Sequence, residues 1–218
     1  MTDNINNNVY VVDDFLANPD ETVEYAQSLD MDGIRGGGHF LRTKPIINWA
    51  MIPAIEAIIK RKIIIDNQWD ESNPDNMNMS YYTTFPDVTP NHIHHDWFDW
   101  SGVLYLSNDV PPEWGTAFWK HKESGDEFAF GKKTIDGYAA ESDKRADVGQ
   151  AAFEQTDIVE YKYNRLVLFR GTMFHSATFP DNAEPYKRFN QFLYFNVEDY
   201  PGWRNGVLSR TMEIQRNE

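Results

Sequence analysis

The sequence lacks cysteine altogether and has few basic residues. Without cysteine the chain cannot form disulfides, zinc–thiolate sites or cysteine-ligated iron–sulfur clusters, and thiol catalysis is excluded. The 20 Lys and Arg face 34 Asp and Glu, which gives a formal net charge of -14. Because phosphate binding needs clustered cations, we expect neither nucleic acid nor an anionic membrane surface as a partner.

Long apolar runs are also missing. The most apolar stretch, residues 46–65, is interrupted by Asn48, Pro53 and Glu56, so it does not resemble a membrane span. The polar first eight residues lack the apolar centre of a signal peptide. These features lead us to expect a cytoplasmic protein.

Aromatic residues are abundant, with 7 Trp, 11 Tyr and 14 Phe among 218 residues. This composition favours a β-rich core, and the length suits one domain spanning residues 1–218. We expect a helical N-terminal layer at 1–76, a β core at 77–197 and a C-terminal tail at 198–218. The polar segment 122–156 interrupts the core, either as a lid over a site or as a solvated insertion.

The order of the predicted elements favours a mostly-β jelly roll with the N-terminal helices packed on one sheet. Asn18 and Pro19 form a helix start, and residues 46–62 form a second helical segment, in which Pro53 should cause a kink or start a second piece. Eight short strands bounded by turn residues follow. They are predicted at 77–83, 92–97, 103–107, 116–121, 158–163, 166–169, 174–179 and 188–197. Such a double sheet is the architecture that cupins also use.

Residues 91–102 hold three of the six histidines and two aspartates. In an extended strand, residues two apart point the same way, so His92, His94 and Asp96 would share a face, with His95 on the other. His94 and Asp96 then offer two metal ligands at one point, and His175 is the best third candidate. Two imidazoles and one carboxylate form the facial triad of non-haem Fe(II) oxygenases.

Two other interpretations of these residues stay open. His92, His94 and His175 could be the ligands, with Asp96 outside the metal, as in a cupin with a His-x-His pair. Alternatively, all of them are surface or hydrogen-bonded core residues.

Arg188 is a further candidate functional residue. It lies 13 residues after His175, at the start of the last predicted strand. A planar, bidentate cation suits a carboxylate of a dicarboxylic acid. The alternative is an ordinary surface arginine at a strand end.

The set of His94-x-Asp96, His175 and Arg188 on eight strands resembles the Fe(II)/2-oxoglutarate-dependent dioxygenase superfamily, in particular its prolyl-hydroxylase-like branch and the small oxygenases of uncharacterised function. Four further stretches share this likeness, at residues 11–16, 102–106, 114–118 and 164–169. The resemblance implies a double-stranded β-helix and an enzyme.

The resemblance also implies a chemistry. Fe(II) would be held by His94, Asp96 and His175, and 2-oxoglutarate would chelate it with its far carboxylate on Arg188. O2 would take the remaining position, with release of succinate and CO2. Because halogenating relatives lack the carboxylate ligand, Asp96 favours hydroxylation, of a C–H bond in a small molecule or peptide side chain.

Four more residues are candidate contacts of the bound oxo acid, each with a packing role as the alternative. They are Tyr82, Tyr105, Thr116 and Asn190. Two other functions remain as alternatives: a cupin-type metalloenzyme without 2-oxoglutarate, which would use His92 as a ligand, and a jelly-roll binding protein without catalysis.

Overall fold

The computed structural model describes residues 2–5, 8–33, 40–73, 76–84, 93–129, 151–178 and 188–198. Within these ranges the helices are α1 (Pro19–Gln27) and α2 (Met51–Ile59), and a 3-10 turn spans Asn67–Trp69. The strands are β1 (Thr2–Ile5), β2 (Val9–Val12), β3 (Asp32–Gly33), β4 (Phe40–Arg42), β5 (Tyr81–Thr84), β6 (Trp100–Tyr105), β7 (Thr116–His121), β8 (Phe153–Val159), β9 (Leu166–Arg170), β10 (His175–Ala177) and β11 (Arg188–Phe195). Neither described helix is long and apolar enough to cross a membrane.

The described strands form two antiparallel sheets. The large sheet has the order β1-β2-β9-β6-β11-β5-β4-β3, and the small sheet has the order β10-β7-β8. The prediction of a mostly-β protein is therefore confirmed. The N-terminal region, expected as a helical layer, also supplies four strands of the large sheet.

The two faces of the large sheet bury different partners because side chains alternate along each strand. On the outer face, Leu104 and Leu168 pack in one cluster with Met51, Ile55 and Ile59 of α2. On the inner face, a second cluster is shared with the small sheet. Its members include Val103, Val167, Phe169 and, from the small sheet, Phe118. The space between the sheets is thus a packed core into which β6, β9 and β11 project every second residue.

Helix α2 is shorter than predicted, and Pro53 does not kink it. The helix begins at Met51, so Pro53 is its third residue and lies in the first turn. The N–H groups of the first turn have no partner within a helix, so a proline there removes no hydrogen bond. The helix ends at Lys60, whose backbone is left-handed with φ 55.

Two strand predictions need correction around the centre of the chain. Residues 92–97 do not form a strand in their described part: His94 makes a single bridge, and the backbone bends at 97–99 before β6 begins at Trp100. Strand β8 begins at Phe153, inside the expected insertion, because its pairing with β7 extends from Val159 back to Phe153. The proposed lid falls largely on residues 130–150, which lie outside the described ranges.

Candidate metal centre

The structure brings His94, Asp96 and His175 together. One ligand atom from each lies within 4.8 Å of the others. The Nε2 atom of His175 is 3.4 Å from Asp96 Oδ2, and the Nε2 atom of His94 is 4.0 Å from Asp96 Oδ1. The two imidazole rings lie with their centroids 4.2 Å apart. Three donor atoms at these distances could hold one metal ion.

Backbone hydrogen bonds hold the three residues where their side chains converge. The His94 N–H donates to the His175 carbonyl at 2.9 Å, and the His175 N–H donates to the His94 carbonyl at 2.8 Å. The Asp96 N–H donates to the Gly171 carbonyl at 2.6 Å. This short pairing with the 171–175 segment, rather than a regular strand, aligns the His-x-Asp motif with the third histidine.

A hydrogen bond to the backbone orients the imidazole of His175. Its Nδ1 lies 2.8 Å from the carbonyl oxygen of Met173. Because a carbonyl can only accept, Nδ1 is the donor of this bond, and Nε2 is the ring nitrogen that faces Asp96. An outer hydrogen bond of this kind orients histidine ligands in metal sites. His175 is buried, whereas about half of the His94 side chain is exposed.

Asp96 is the charged member of the group. Burial alone would raise the pKa of this carboxyl, but the charge and contact of His175, the charge of His94 and a hydrogen bond from Ser101 together lower the pKa to about 2. The carboxylate is therefore ionised at neutral pH. An anionic oxygen with two imidazoles is a donor set that suits Fe(II) and leaves positions for exchangeable ligands.

Arg188 lies on the inner face of β11 and is almost completely buried, with 2% of its surface exposed. Its NH1 donates to the Trp114 carbonyl at 2.8 Å and to the Gly115 carbonyl at 3.3 Å. The guanidinium also lies 5.8 Å from the ring centre of Tyr105 and 5.6 Å from that of Tyr161. Burial lowers the pKa of Arg188, opposed by the two tyrosines. Arg188 is thus not a surface arginine.

The hydroxyl groups of Tyr105 and Thr116 meet beside Arg188. They form a hydrogen bond of 2.7 Å, and the Tyr105 ring stacks on Tyr161 at 4.2 Å. Burial raises the pKa of Tyr105 to about 12, so its phenol stays protonated at neutral pH. Tyr105, Thr116 and Arg188 together form a buried polar cluster between the sheets.

Asn190 and Tyr82 occupy neighbouring strands on the same face. Asn190 pairs with Tyr105 on one side and with Tyr82 on the other. With its amide oriented to suit its neighbours, Asn190 accepts from Arg188 Nε at 3.3 Å and donates to the Tyr161 hydroxyl at 3.3 Å. Tyr82 packs edge-on against Phe192 at 4.7 Å, and burial raises its pKa. Asn190 therefore contacts Arg188 directly, whereas Tyr82 packs against Phe192.

The metal group and the Arg188 group lie towards opposite ends of β6. Ser101 contacts Asp96, and Tyr105 lies beside Arg188. Four residues along a strand span about 13 Å, and Ser101, Val103 and Tyr105 share the inner face. One strand therefore connects a candidate metal site to a buried cation.

Two residues of this region have roles that the sequence does not predict. Ser101 donates to Asp96, and Tyr161 supports both Tyr105 and Asn190. No sequence pattern marks either residue. A serine five residues after an aspartate is common, and so is a tyrosine near other aromatic residues. His92 lies outside the described residues. His95 points away from the group and packs on Trp97 at 4.7 Å.

Solved structures provide the comparison for the fold. HygX from Streptomyces hygroscopicus, crystallised with nickel, 2-oxoglutarate and hygromycin B, matches with a TM-score of 0.56 and 10% identity over 90% of this chain and 86% of that one. This match shows that the two share a fold.

Two further structures match less well. They are SnoN, a non-heme alpha-ketoglutarate-dependent epimerase from nogalamycin biosynthesis (TM-score 0.47, 15% identity, 87% of this chain and 78% of that one), and a Pseudomonas putida prolyl-4-hydroxylase (TM-score 0.39, 12% identity, 86% and 91%). TM-scores below 0.5 do not establish that these two proteins share the fold of this chain.

The sequence comparisons complete the assignment. No curated protein matches the sequence. Residues 2–191, which include both the metal group and Arg188, match the family of unknown function DUF6445. The chain belongs to this family.

Proposed function

We propose that the protein is an Fe(II)- and 2-oxoglutarate-dependent oxygenase that hydroxylates a C–H bond. The convergence of His94, Asp96 and His175 within 4.8 Å carries this proposal. The oriented imidazole of His175, with Nε2 facing Asp96, and the ionised carboxylate of Asp96 provide donor atoms that suit a divalent metal. Iron and 2-oxoglutarate, when bound, supply the oxygen-activating chemistry.

The Arg188 end of the inner face suits the far carboxylate of 2-oxoglutarate. The guanidinium is a buried donor, and the hydroxyls of Tyr105 and Thr116 lie beside it. A carboxylate that reaches this polar cluster would find a charge and hydroxyl donors in a dry environment, where such contacts are strongest. We infer that Asn190 orients the guanidinium and that Tyr82 lines the co-substrate site.

The remaining work of the chain is to hold and shield the reactants. Phe169 packs on His175 at 4.5 Å, and Phe118 packs on Phe169 at 5.5 Å, so apolar side chains lie directly behind the site. They keep the metal side of the inter-sheet space dry. Because Asp96 occupies a ligand position, no position is left there for a halide, which favours hydroxylation.

For the architecture we propose a double-stranded β-helix. The small sheet covers the inner face of the large sheet through the shared cluster around Val103 and Phe118. The fold shared with HygX supports this. For the prime substrate we propose a small molecule, since HygX was crystallised with hygromycin B, a small molecule.

The first experiment is an anaerobic titration of the Fe(II)-loaded protein with 2-oxoglutarate. We expect a saturable visible charge-transfer band from the iron–oxo-acid chelate. Bound iron without a band would discard the oxygenase and favour a metalloenzyme that works without 2-oxoglutarate. Failure to bind iron would favour a binding protein without catalysis.

Replacing the carboxylate ligand tests the triad directly. We expect Asp96→Ala to lower 2-oxoglutarate turnover at least about 100-fold, because one of three metal ligands is lost. Succinate release is the measurement. Asp70→Ala, which removes an exposed aspartate bonded to Ser72, is the control and should keep the wild-type rate. Wild-type turnover by Asp96→Ala would show that the triad is not the metal site.

A further inference from the structure

Two hydrogen bonds hold Asp96, one through its backbone and one through its carboxylate. Its N–H donates to the Gly171 carbonyl, which fixes the main chain. Its carboxylate accepts a hydrogen bond of 2.6 Å from the Ser101 hydroxyl at Oδ2. Oδ1 is the oxygen nearer to His94. The rotation of the carboxylate about its own axis is therefore defined by Ser101.

Ser101 is itself firmly placed. It lies on β6 between Phe169 of β9 and Tyr194 of β11, and 1% of its surface is exposed. Pairing of β6 with strands on both sides fixes its backbone, and its hydroxyl donates to Asp96 at 2.6 Å. A hydroxyl bound to an ionised group in a dry site forms a strong hydrogen bond.

Gly171 leaves the space that this contact needs. A Cβ at position 171 would lie 2.2 Å from the Phe98 carbonyl oxygen and 3.2 Å from the Ser101 hydroxyl. Any larger residue would push the 98–101 segment away from the 171–175 segment. The same glycine offers its carbonyl to the Asp96 N–H. Gly171 thus serves both contacts that orient Asp96.

We propose that Ser101 is a positioning residue that sets the orientation of the Asp96 carboxylate towards the metal. Its hydroxyl holds Oδ2, which also lies 3.4 Å from His175 Nε2, so that the carboxylate presents Oδ1 towards His94 in a constant geometry. This inference rests on the proposed function, since it requires a metal at the triad. Ser101 touches neither the metal position nor the substrate and acts through Asp96.

The test is the affinity for Ni(II), a redox-inert probe, measured by calorimetry on the wild type and on Ser101→Ala. We expect about a 10- to 100-fold weaker affinity, the usual effect of removing an outer hydrogen bond from a metal ligand. Ser80→Ala is the matched control, because it also removes a fully buried serine hydroxyl, and it should keep the wild-type affinity. Thermal unfolding of each variant reports any general loss of structure.

A double-mutant cycle separates positioning from packing. If Ser101 acts through Asp96, Ser101→Ala should weaken Ni(II) binding in the wild type but not in the Asp96→Ala background. An equal loss in both backgrounds, or no loss in either, would overturn the proposal. Ser101→Thr, which keeps the hydroxyl, should bind Ni(II) more tightly than Ser101→Ala, and the reverse order would also overturn it.

The visible spectrum of the Co(II)-loaded protein reports how the metal is coordinated. A change in the stability of the fold alone would not alter it. We expect Ser101→Ala to change the d–d bands, and identical spectra would contradict the inference. The failure of the proposed function looks different from these results. In that case the wild type itself would bind neither Ni(II) nor Co(II) at the triad, and Asp96→Ala would change nothing.

Discussion

At the scale of single residues, Arg188 shows how a charge is kept in the interior. Two backbone carbonyls, two tyrosine rings and the Asn190 amide surround its guanidinium. Burying an ion is costly unless its donors are used, and here neutral oxygens take several of them. These contacts therefore stabilise the buried cation in place.

We expect Arg188→Ala to raise the 2-oxoglutarate concentration needed for half-saturation by about 10- to 100-fold, since a charged hydrogen bond contributes roughly 1.5–3 kcal/mol. Ni(II) affinity should stay unchanged, because the arginine lies at the other end of β6. Arg188→Lys keeps the charge but not the planar guanidinium. Its half-saturating 2-oxoglutarate concentration should therefore lie between those of the wild type and Arg188→Ala. An unchanged 2-oxoglutarate requirement in Arg188→Ala would remove this residue from the co-substrate site.

Residue chemistry also explains which parts of the site can be predicted. Histidine, aspartate and arginine carry their ligand chemistry in the side chain, so His94, Asp96, His175 and Arg188 can be proposed as site residues from the sequence alone. Ser101 gains its importance from a contact across irregular backbone, where no periodicity links it to Asp96. Roles that depend on a neighbour's position need the tertiary structure.

At the scale of elements, the approach of β7 to β8 places Arg188. Gly115 precedes β7, and a Cβ there would lie 1.8 Å from the carbonyl oxygen of Val159, the last residue of β8. The Gly115 carbonyl accepts hydrogen bonds from Arg188 and Thr178. The close backbone contact at Gly115 therefore fixes how β7 packs on β8. It also fixes the position of the carbonyl that Arg188 binds.

Gly115→Ala should lower the free energy of unfolding by at least about 3 kcal/mol, because the backbone of β8 must move. Gly125→Ala is the matched comparison. Its φ of +73 strains any side chain, but nothing lies within 4 Å of the added Cβ, so the loss should be about 1 kcal/mol. Urea denaturation measures both, and similar losses would show that the contact with Val159 does not limit this site.

The turn before β9 is the second element with a defined role. Asn164 has a left-handed backbone with φ 57, and its amide accepts from the Leu16 N–H and donates to the Leu16 carbonyl, both at 2.9 Å. Asn164 therefore both closes the turn and binds the segment before α1. Asparagine is among the few residues that tolerate this conformation.

Asn164→Ala should cost about 2–4 kcal/mol of unfolding free energy, combining two lost hydrogen bonds with backbone strain. Asn164→Gly loses the same bonds but relieves the strain, so it should cost less than the alanine variant. Chemical denaturation of the two variants side by side is the measurement. Equal or reversed costs would show that the left-handed conformation is not what selects asparagine here.

The accuracy of the element predictions follows the way each strand is buried. Strand β7, buried at most positions and bounded by Gly115 and the turn after His121, has the bounds that the sequence predicts. The predicted start of β8 is too late because five consecutive residues between Phe153 and Val159 are exposed and carry no apolar alternation. Residues 92–97 have the alternating chemistry of a strand, although pairing with His175 is confined to His94.

At the scale of the whole molecule, an ionic cluster ties the N-terminal segment to the core across about 150 positions of sequence. Asp13 accepts from Arg165 Nε at 2.6 Å and NH2 at 3.1 Å, and from Lys162 at 2.7 Å. The hydrogen bond from Arg165, with that of Lys162, lowers the pKa of Asp13 to about 2 against the opposing effect of burial. An unfolded aspartate has a pKa of about 3.9.

Because the folded pKa is the lower one, this cluster stabilises the protein fully above about pH 4 and loses its effect as the pH falls towards about 2. Asp13→Asn should therefore cost about 1–2 kcal/mol at pH 7, allowing for the partial exposure of the pair, and almost nothing at pH 2. Thermal unfolding across this pH range is the measurement. Asp14→Asn, at an exposed neighbour, is the control, and a cost for Asp13→Asn that does not vary with pH would contradict the assignment.

The paired backbones of His94 and His175 have one more consequence. Two reciprocal hydrogen bonds join residues 81 positions apart, so backbone pairing within the fold aligns the two histidines. Zinc fingers, by contrast, fold only when their metal binds. On the proposed function, iron would bind to a preformed site, and its loss would stop turnover while the protein stays folded.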